Sequence, residues 1–169
     1  MIEFREPATI LELESLYGLR HLAYSDSASL KTMLSNNTSK LDINEYDLRA
    51  LHFGAFEEGN ALAYFRMTTL QDQSFAPWTR EIASASGIQL VLENFGFPFE
   101  KFCPQKEWVN LFLQSLENKK TGEAGRLAVH PDHRKNSTLL DQLIAAFVNY
   151  CKEIKKFDVG FGSCTLPLE

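Results

Sequence analysis

The feature that most constrains the fold is a strand–turn–helix–strand pattern in the last third of the chain. The pattern predicts a short buried strand at 125–130, a turn with a proline and basic residues, a helix over 137–156 and a last strand at 159–165. Two strands of one sheet that are joined through a helix run parallel, with a right-handed crossover. The sequence therefore predicts a parallel strand pair connected by a helix.

The helix predicted at 137–156 has the clearest pattern in the chain. Asn136 or Ser137 can cap its N-terminus, and several lysines lie near its C-terminus, where the helix dipole favours cations. Its apolar residues form one stripe at helical spacing, made of Leu139, Leu140, Leu143, Ile144, Phe147, Cys151 and Ile154. This stripe is typical of a helix with one buried face.

The first half of the chain predicts a helix and a hairpin. Residues 51–56 and 61–70 are strand-like, and the segment EEGN between them is a hairpin turn signal. We expect an edge strand at 2–7, a helix at 11–24 and a polar loop over 25–44.

A long segment at about 71–121 separates the hairpin from the strand at 125–130. It predicts helices near 79–95 and 105–117, with the aromatic loop GFPFEKF between them. We interpret it as a helical insertion. At 169 residues, the whole chain 1–169 is expected to be a single domain.

Charge and composition exclude several classes of function. The net charge is −5 and no basic tract stands out, which argues against nucleic-acid binding. No apolar run approaches the roughly 18 residues of a membrane helix, and acidic residues replace the basic start of a secretory signal. We therefore expect a cytoplasmic protein. The three cysteines are widely spaced, and His130 and His133 lack a third ligand nearby, so no metal site is expected.

The turn after the strand at 125–130 is suited to binding a phosphate. Backbone amides at a helix N-terminus favour anions, and the turn also carries basic side chains. The residues expected to hold a phosphate-bearing donor here are Arg134, Lys135, Asn136, Ser137 and Thr138. The alternative interpretation is an ordinary solvated helix entry.

The stretch RLAVHPDHRKNSTLLDQLI resembles the GCN5-related N-acetyltransferase (GNAT) superfamily. Arg134 matches the first position of that family's acyl-CoA loop, whereas Ser137 and Leu139 stand where the family has glycine and a small residue. A leucine there is expected to crowd a pyrophosphate. The resemblance implies an α+β fold of three layers, with a mixed central sheet and helices on both faces. It also places Leu127 and Val129 on the strand beside the donor.

A narrower resemblance is to the acyl-homoserine-lactone synthases and the long-chain N-acyl amino acid synthases. Those enzymes have an arginine in an early helix, two acids before the hairpin, an arginine on its second strand and a Glu-x-x-Arg at the fourth strand. The matching residues here are Arg20, Asp42, Asp47, Arg66, Glu123 and Arg126. The two acids are spaced more loosely than in the lactone synthases and the loop after Tyr24 has no tryptophan, which favours the amino acid synthases or an uncharacterised cousin.

This resemblance implies an N-acyltransferase that moves a long-chain fatty acyl group onto the amine of an amino acid or related small molecule. The donor would be acyl-CoA or the acyl-phosphopantetheine of acyl carrier protein, with no metal. An acidic carrier protein could dock on the basic edge made by His130, His133, Arg134 and Lys135. The alternatives are an ordinary acetyl-CoA-dependent acetyltransferase and a catalytically silent module that binds acyl thioesters.

Glu123 is the leading candidate for the general base, because an attacking amine must lose its proton. The alternative is a surface acid on a glycine-rich turn. Residues three apart in a regular strand point to opposite faces, so Glu123 and Arg126 share a site only if the strand is bulged near Gly125. A bulge there would also free backbone amides to hold the donor.

The remaining candidate residues each have a functional and a structural interpretation. Arg66 and Arg126 either clamp a substrate carboxylate or join the acids in a buried ion-pair network. Arg20 is either part of that site or a helix-surface arginine. Aromatic residues of the insertion line an acyl pocket or form plain core; they are Phe95, Phe97, Phe99, Phe102, Trp108 and Phe112.

The family fold continues past the fifth strand, whereas this chain stops at Glu169. We therefore expect the C-terminal part of the fold to be missing. An exposed parallel strand edge would remain, and such an edge favours a homodimer.

Overall fold

A computed structural model describes residues 1–27, 31, 34, 38–70, 73–90 and 96–162 of the chain. The strands are β1 (Ile2–Arg5), β2 (Ala50–Glu57), β3 (Asn60–Thr68), β4 (Thr121–Val129) and β5 (Val159–Gly162). The helices are α1 (Ile10–Ser25), α2 (Ala76–Ala85), α3 (Pro98–Phe102), α4 (Lys106–Ser115) and α5 (Ser137–Asn149).

The strands form one mixed five-stranded sheet in the order β1-β2-β3-β4-β5. The first three pairings are antiparallel, and β4 pairs with β5 in parallel, as the strand–helix–strand pattern predicted. The predicted hairpin turn joins β2 to β3 through Glu58 (φ 51°) and Gly59 (φ 80°). Two successive positive φ angles match the twist of a two-residue hairpin.

Helices cover both faces of the sheet, which confirms the predicted three layers. On one face, the apolar stripe of α5 packs on inward side chains of β2 and β3; the cluster includes Leu139, Leu143, Phe147, Leu51, Phe53 and Met67. On the other face, α1 packs through Leu16 and Leu19 on Phe56 and Tyr64. A side chain at Gly54 would bring its Cβ within 2.8 Å of Leu16, so this glycine lets α1 approach the sheet closely.

β4 carries a bulge at the place where the sequence predicted one. Tyr64 pairs with Ala128 and Arg66 pairs with Gly125, so three steps along β4 match two along β3. Arg126 lies in the bulge and has a φ of +54°, which is unusual for a residue with a side chain. The bulge therefore changes the face to which successive β4 side chains point.

Several predicted boundaries were wrong. The helix predicted at 79–95 ends at Ala85, because Gly87 adopts a φ of +68° and the chain leaves the helix. The helix predicted to reach 156 is regular only to Asn149, where α5 ends. A π-helical turn, Tyr150–Ile154, follows it directly. The aromatic loop contains the short helix α3.

Other differences concern strand ends and parts of the chain that are not described. β4 begins at Thr121, four residues before the predicted strand. The predicted end of the last strand at 163–165, which includes Cys164, and part of the loop predicted over 25–44 lie outside the described residues. Among the described residues, no helix is both long and apolar enough to cross a membrane.

Burial along α5 gives a direct test of how the core is held. Leu143 is fully buried against the sheet, whereas Val148 on the same helix is 57% exposed. We expect Leu143→Ala to lower the free energy of unfolding by about 2–5 kcal/mol, because it removes apolar contacts and leaves a cavity. Val148→Ala, the matched control, should change it by less than about 0.5 kcal/mol. Urea denaturation measures both, and equal effects would contradict the assigned packing of α5.

Candidate active site

A buried cluster of charged side chains lies between α1 and the sheet. The Arg20 guanidinium contacts Asp42 Oδ2 through Nε at 2.9 Å and the two Asp47 carboxylate oxygens through its Nη atoms at 2.7 and 3.0 Å. Arg20 also donates to the Asp42 carbonyl oxygen. Arg20, Asp42 and Asp47 are each at most 1% exposed. The interpretation of Arg20 as a helix-surface arginine was therefore wrong.

Local structure explains why these acids reach Arg20. Asn44 caps a 3₁₀ turn, Glu45–Arg49, by accepting from the Tyr46 amide, and the Asp47 carboxylate accepts from the Asn44 amide. This reciprocal capping fixes the Asp47 side chain at the start of β2. The Asp42 amide donates to the Tyr17 carbonyl of α1 at 3.2 Å, which holds the preceding segment against the helix.

Two further arginines join the cluster from neighbouring strands. Arg66 Nη1 lies 2.8 Å from Asp47 Oδ1 and 3.2 Å from Asn44 Oδ1, and Arg126 Nη1 lies 3.5 Å from Asp42 Oδ2. Among the described residues, Arg66 Nε and Arg126 Nη1 are buried without a hydrogen-bond partner. Both predicted substrate-contacting arginines thus retain a polar group that could bind an anion.

The charge balance of the cluster is set by burial and by the arginines. Burial opposes the ionised form of Asp47, but the guanidinium groups of Arg20 and Arg66 outweigh it and hold its pKa well below the usual range. Burial lowers the pKa of Arg126, and the Asp42 carboxylate opposes that shift. Three guanidinium groups therefore contact the two carboxylates of this cluster.

Glu123 lies on the same face of the sheet as this cluster. It pairs with Thr68 of β3, two residues from Arg66, and side chains two apart in a strand share a face. Glu123 is 3% exposed and its Oε2 accepts from the Phe99 amide at 3.0 Å. The interpretation of Glu123 as a surface acid was therefore wrong. The bulge turns Arg126 to the same face, which the sequence required if Glu123 and Arg126 are to share a site.

A second layer of hydrogen bonds supports the cluster from the sheet side, and sequence reasoning missed it. His52 pairs with Arg66 across the hairpin, and its Nδ1 lies 2.8 Å from the Tyr64 hydroxyl. Its Nε2 lies 3.1 Å from the Asp47 carbonyl oxygen, which can only accept, so Nε2 carries the proton. Alternation along β2 and the hairpin register were the signals that could have placed His52 beside Arg66.

The predicted donor turn has two outcomes. Arg134 already has partners at the end of α1, because it donates to the Ala23 carbonyl at 2.9 Å and to the Asp26 carboxylate at 2.5 Å. Asn136 caps α5 by accepting from the Leu139 amide at 3.1 Å. Leu139 is 1% exposed and points into the core under α5, so the expectation that it crowds the turn was wrong.

The start of α5 still offers donor groups to a phosphate. The first amides of a helix have no partner within the helix, and here they belong to Ser137 and Thr138. Both residues and Lys135 are exposed on the turn. These three predicted donor-binding residues therefore remain available, whereas Arg134 and Asn136 already have partners.

β4 extends beyond its pairing with β5. The described pairs run from Thr121–Val159 to Ala124–Gly162, and β4 continues to Val129. Among the described residues, no strand pairs with positions 125–129 on that side. Leu127 is 37% exposed in this part, and Val129 packs partly against the α5 cluster. The described part of β5 thus ends beside Ala124, just before the bulge where a donor was expected to lie.

The aromatic residues of the insertion pack mainly on each other. Phe97, Phe99 and Phe112 surround Phe161 of β5 with ring centroids 5.1–5.4 Å apart, and Trp108 stacks on Phe112. Phe95 and the Phe102 side chain lie outside what the structure describes. Glu123 pairs with Phe161, so this cluster lies directly beside the candidate base.

A cavity of about 890 Å³ lies beside the N-terminal end of β4. Its apolar lining includes Phe97, Leu113, Leu116 and Phe157, and Thr121 of β4 lies at its edge. Of the aromatic residues expected to line an acyl pocket, only Phe97 lines it within the described part of the chain. Glu123 and Arg126 do not line it. No group of three potential metal-binding side chains occurs in the described ranges.

Comparison with known proteins identifies the fold. No protein-family model matches the chain, and no curated protein gives a significant match. The CoA-dependent acyl-homoserine lactone synthase BjaI, solved with MTA, has a TM-score of 0.51 at 18% identity, covering 89% of this chain and 60% of that one.

Two further solved structures give lower scores. An acyl-CoA N-acyltransferase from Pseudomonas aeruginosa has a TM-score of 0.45 at 14% identity, covering 92% of this chain and 73% of that one. Glucosamine-6-phosphate N-acetyltransferase from Arabidopsis thaliana has a TM-score of 0.45 at 12% identity, covering 98% and 84%. The match to BjaI shows that the chain has the acyl-CoA N-acyltransferase fold, as predicted, while the branch stays a prediction.

The buried His52 predicts a defined pH dependence of stability. Burial lowers its pKa from 6.5 to about 4, so the unfolded chain binds a proton below pH 6.5 that the folded chain does not. Stability is therefore lost as the pH falls, by about 2 kcal/mol between pH 7 and pH 5 through this group. The lowered pKa of Asp47 also stabilises the folded chain, but this stabilisation is lost only as the pH falls through and below the unfolded pKa of about 3.9, outside this window.

Urea denaturation at several pH values measures this effect. We expect His52→Gln to flatten the dependence between pH 7 and pH 5, whatever its effect on stability at pH 7. A variant with the same slope as the parent would show that His52 does not cause the loss.

Proposed function

We propose that the chain is an N-acyltransferase that moves an acyl group from a thioester to the amine of a small molecule. The observation that carries this proposal is the placement of Glu123, Arg66 and Arg126 on one face of the sheet, beside the bulge of β4. An acid near buried arginines, with a bulge that interrupts the regular pairing of backbone groups, suits amine attack on a carbonyl carbon. The fold is consistent with this chemistry.

Glu123 accepts the proton of the attacking amine, directly or through a water molecule. The amine nitrogen then bonds to the thioester carbon, the carbon–sulfur bond breaks, and the leaving thiolate takes up the proton that Glu123 accepted, which regenerates the carboxylate. Backbone amides near the bulge stabilise the negative charge that develops on the carbonyl oxygen. The Phe99 amide keeps the Glu123 carboxylate in place for this step.

The donor would bind along β4 with its phosphate at the start of α5. Ser137 and Thr138 supply amides there and Lys135 supplies a positive charge. A phosphopantetheine arm occurs in both acyl-CoA and acyl carrier protein, and the exposed basic residues of this turn fit an acidic carrier protein. The donor is therefore one of these two thioesters.

The cavity near Phe97 supports a long acyl chain. Thr121 at its edge is two residues from Glu123, about 7 Å along a strand. An acyl chain that passes Glu123 from the donor turn would therefore reach an apolar cavity of about 890 Å³. Such a volume is within the range of small-molecule sites, about 300–1,000 Å³.

The acceptor would carry a carboxylate as well as its amine, as an amino acid does. Arg66 Nε and Arg126 Nη1, which are buried without a hydrogen bond among the described residues, favour an anion. Mass spectrometry of lipids from cells that express the chain would identify the product. A product without a carboxylate would contradict this assignment.

An acetyl-CoA-dependent acetyltransferase is the second candidate. The burial of Leu139 favours it, because the turn before α5 is then open to a full nucleotide diphosphate. Its donor would leave the cavity near Phe97 empty.

A thermal-shift panel tests the donor. We expect long-chain acyl-CoA or acyl carrier protein to stabilise the protein, by about 2.7 kcal/mol at a hundred times the dissociation constant. Acetyl-CoA is the control and should give a smaller shift. A larger shift with acetyl-CoA would favour the second candidate, and stabilisation without thiol release toward any amine would indicate a silent binding module.

Replacing Glu123 tests the base. We expect Glu123→Gln to lower kcat about 10²–10⁴-fold, because the amide cannot take the proton of the amine. Glu81→Gln, on the exposed face of α2, is the matched control and should retain the parent rate. Thiol release measured with a chromogenic disulfide follows both variants. Unchanged turnover in Glu123→Gln would show that another group is the base.

A further inference from the structure

We propose that Tyr24 is a positioning residue that holds the β4 bulge in the shape needed to bind the thioester donor. This inference rests on the proposed function. Tyr24 lies in the last turn of α1, on the face of the sheet that carries Glu123 and Arg126, and it is 5% exposed.

Tyr24 contacts the bulge in two ways. Its hydroxyl donates to the Leu127 carbonyl oxygen at 3.3 Å, and the Arg126 guanidinium carbon lies 5.5 Å from the centroid of its ring. Leu127 and Arg126 are the two residues that together oppose one residue of β3. The Tyr24 hydroxyl therefore satisfies a carbonyl group in the irregular part of the strand.

The bulge requires such support because its backbone is unfavourable. Arg126 has a φ of +54°, a conformation that residues with a side chain adopt only when their surroundings enforce it. Asp42 contacts the Arg126 guanidinium at 3.5 Å, and the Tyr24 ring contacts it from α1. Contacts from α1 and from the segment before β2 thus hold the left-handed residue in place.

The same turn of α1 also holds the other side of the donor site. Arg134 donates to the carbonyl of Ala23, the neighbour of Tyr24, and pairs with Asp26. The last turn of α1 therefore contacts both the bulge and the turn before α5. The proposed donor spans the distance from the bulge of β4 to the turn before α5. A change in the contact between α1 and the bulge would alter that distance.

Tyr24→Phe separates the hydroxyl from the ring. The ring and its contact with Arg126 remain, and no described hydrogen bond links Tyr24 to Arg66, Asp47 or Glu123. We therefore expect the KM for the donor to rise about fivefold, as for the loss of one neutral hydrogen bond, while kcat and the KM for the acceptor stay within twofold.

Tyr150→Phe is the matched control. Tyr150 packs on Phe53 at the α5 face of the sheet, with ring centroids 5.1 Å apart, away from the bulge. The change removes a buried tyrosine hydroxyl without touching β4. We expect it to leave the KM of the donor unchanged.

Hydrogen exchange provides a readout that does not depend on turnover. We expect the amides of 125–129 to exchange about tenfold faster in Tyr24→Phe than in the parent, with no such change in Tyr150→Phe. A faster exchange together with a selective rise in donor KM supports the proposal.

Three other results would overturn the proposal or separate it from the proposed function. Unchanged exchange in Tyr24→Phe would show that the hydroxyl does not hold the bulge. Faster exchange with an unchanged donor KM, or equal changes in kcat and both KM values, would show a merely structural role. If the parent protein neither binds nor turns over any thioester, the proposed function fails, and the donor-positioning role of Tyr24 fails with it even where exchange confirms the contact.

Discussion

The site depends on one buried interaction, the pairing of the Arg20 guanidinium with Asp42 and Asp47. These side chains come from α1 and from the segment before β2, and Arg66 of β3 binds the same Asp47 carboxylate. Burying charges costs free energy that only close pairing offsets, so each member requires the others. The network therefore fixes the position of α1 over the sheet, and α1 covers the site on that face.

The same network is incompletely satisfied on the side that faces β4. Arg20 uses its donors on the two acids, whereas Arg66 Nε and Arg126 Nη1 are buried without a hydrogen bond among the described residues. A purely structural network would gain little from leaving these groups without hydrogen bonds, because an unsatisfied buried donor is unfavourable. The network thus has two parts. Arg20 and the two acids hold the fold, whereas Arg66 and Arg126 are suited to bind an anionic group.

Much of the fold could be predicted because it follows from local periodicity. The α5 stripe, the hairpin turn and the parallel β4–β5 pair were read from residue spacing, and the bulge followed from the need to bring Glu123 and Arg126 together. Long-range partners could not be predicted in this way. Three features depend on how distant elements pack: Arg134 binds the end of α1, Leu139 is buried, and His52 pairs with Arg66 across the hairpin.

The bulge in β4 has a consequence for how such a site can arise. The pairs Tyr64–Ala128 and Arg66–Gly125 flank it, and both would keep their register if one residue between them were lost. A single inserted codon is thus enough to add Arg126 to an otherwise regular strand without shifting Glu123 or the turn before α5. A regular strand and the bulged one would differ by one amino acid and share the pairings on either side of it.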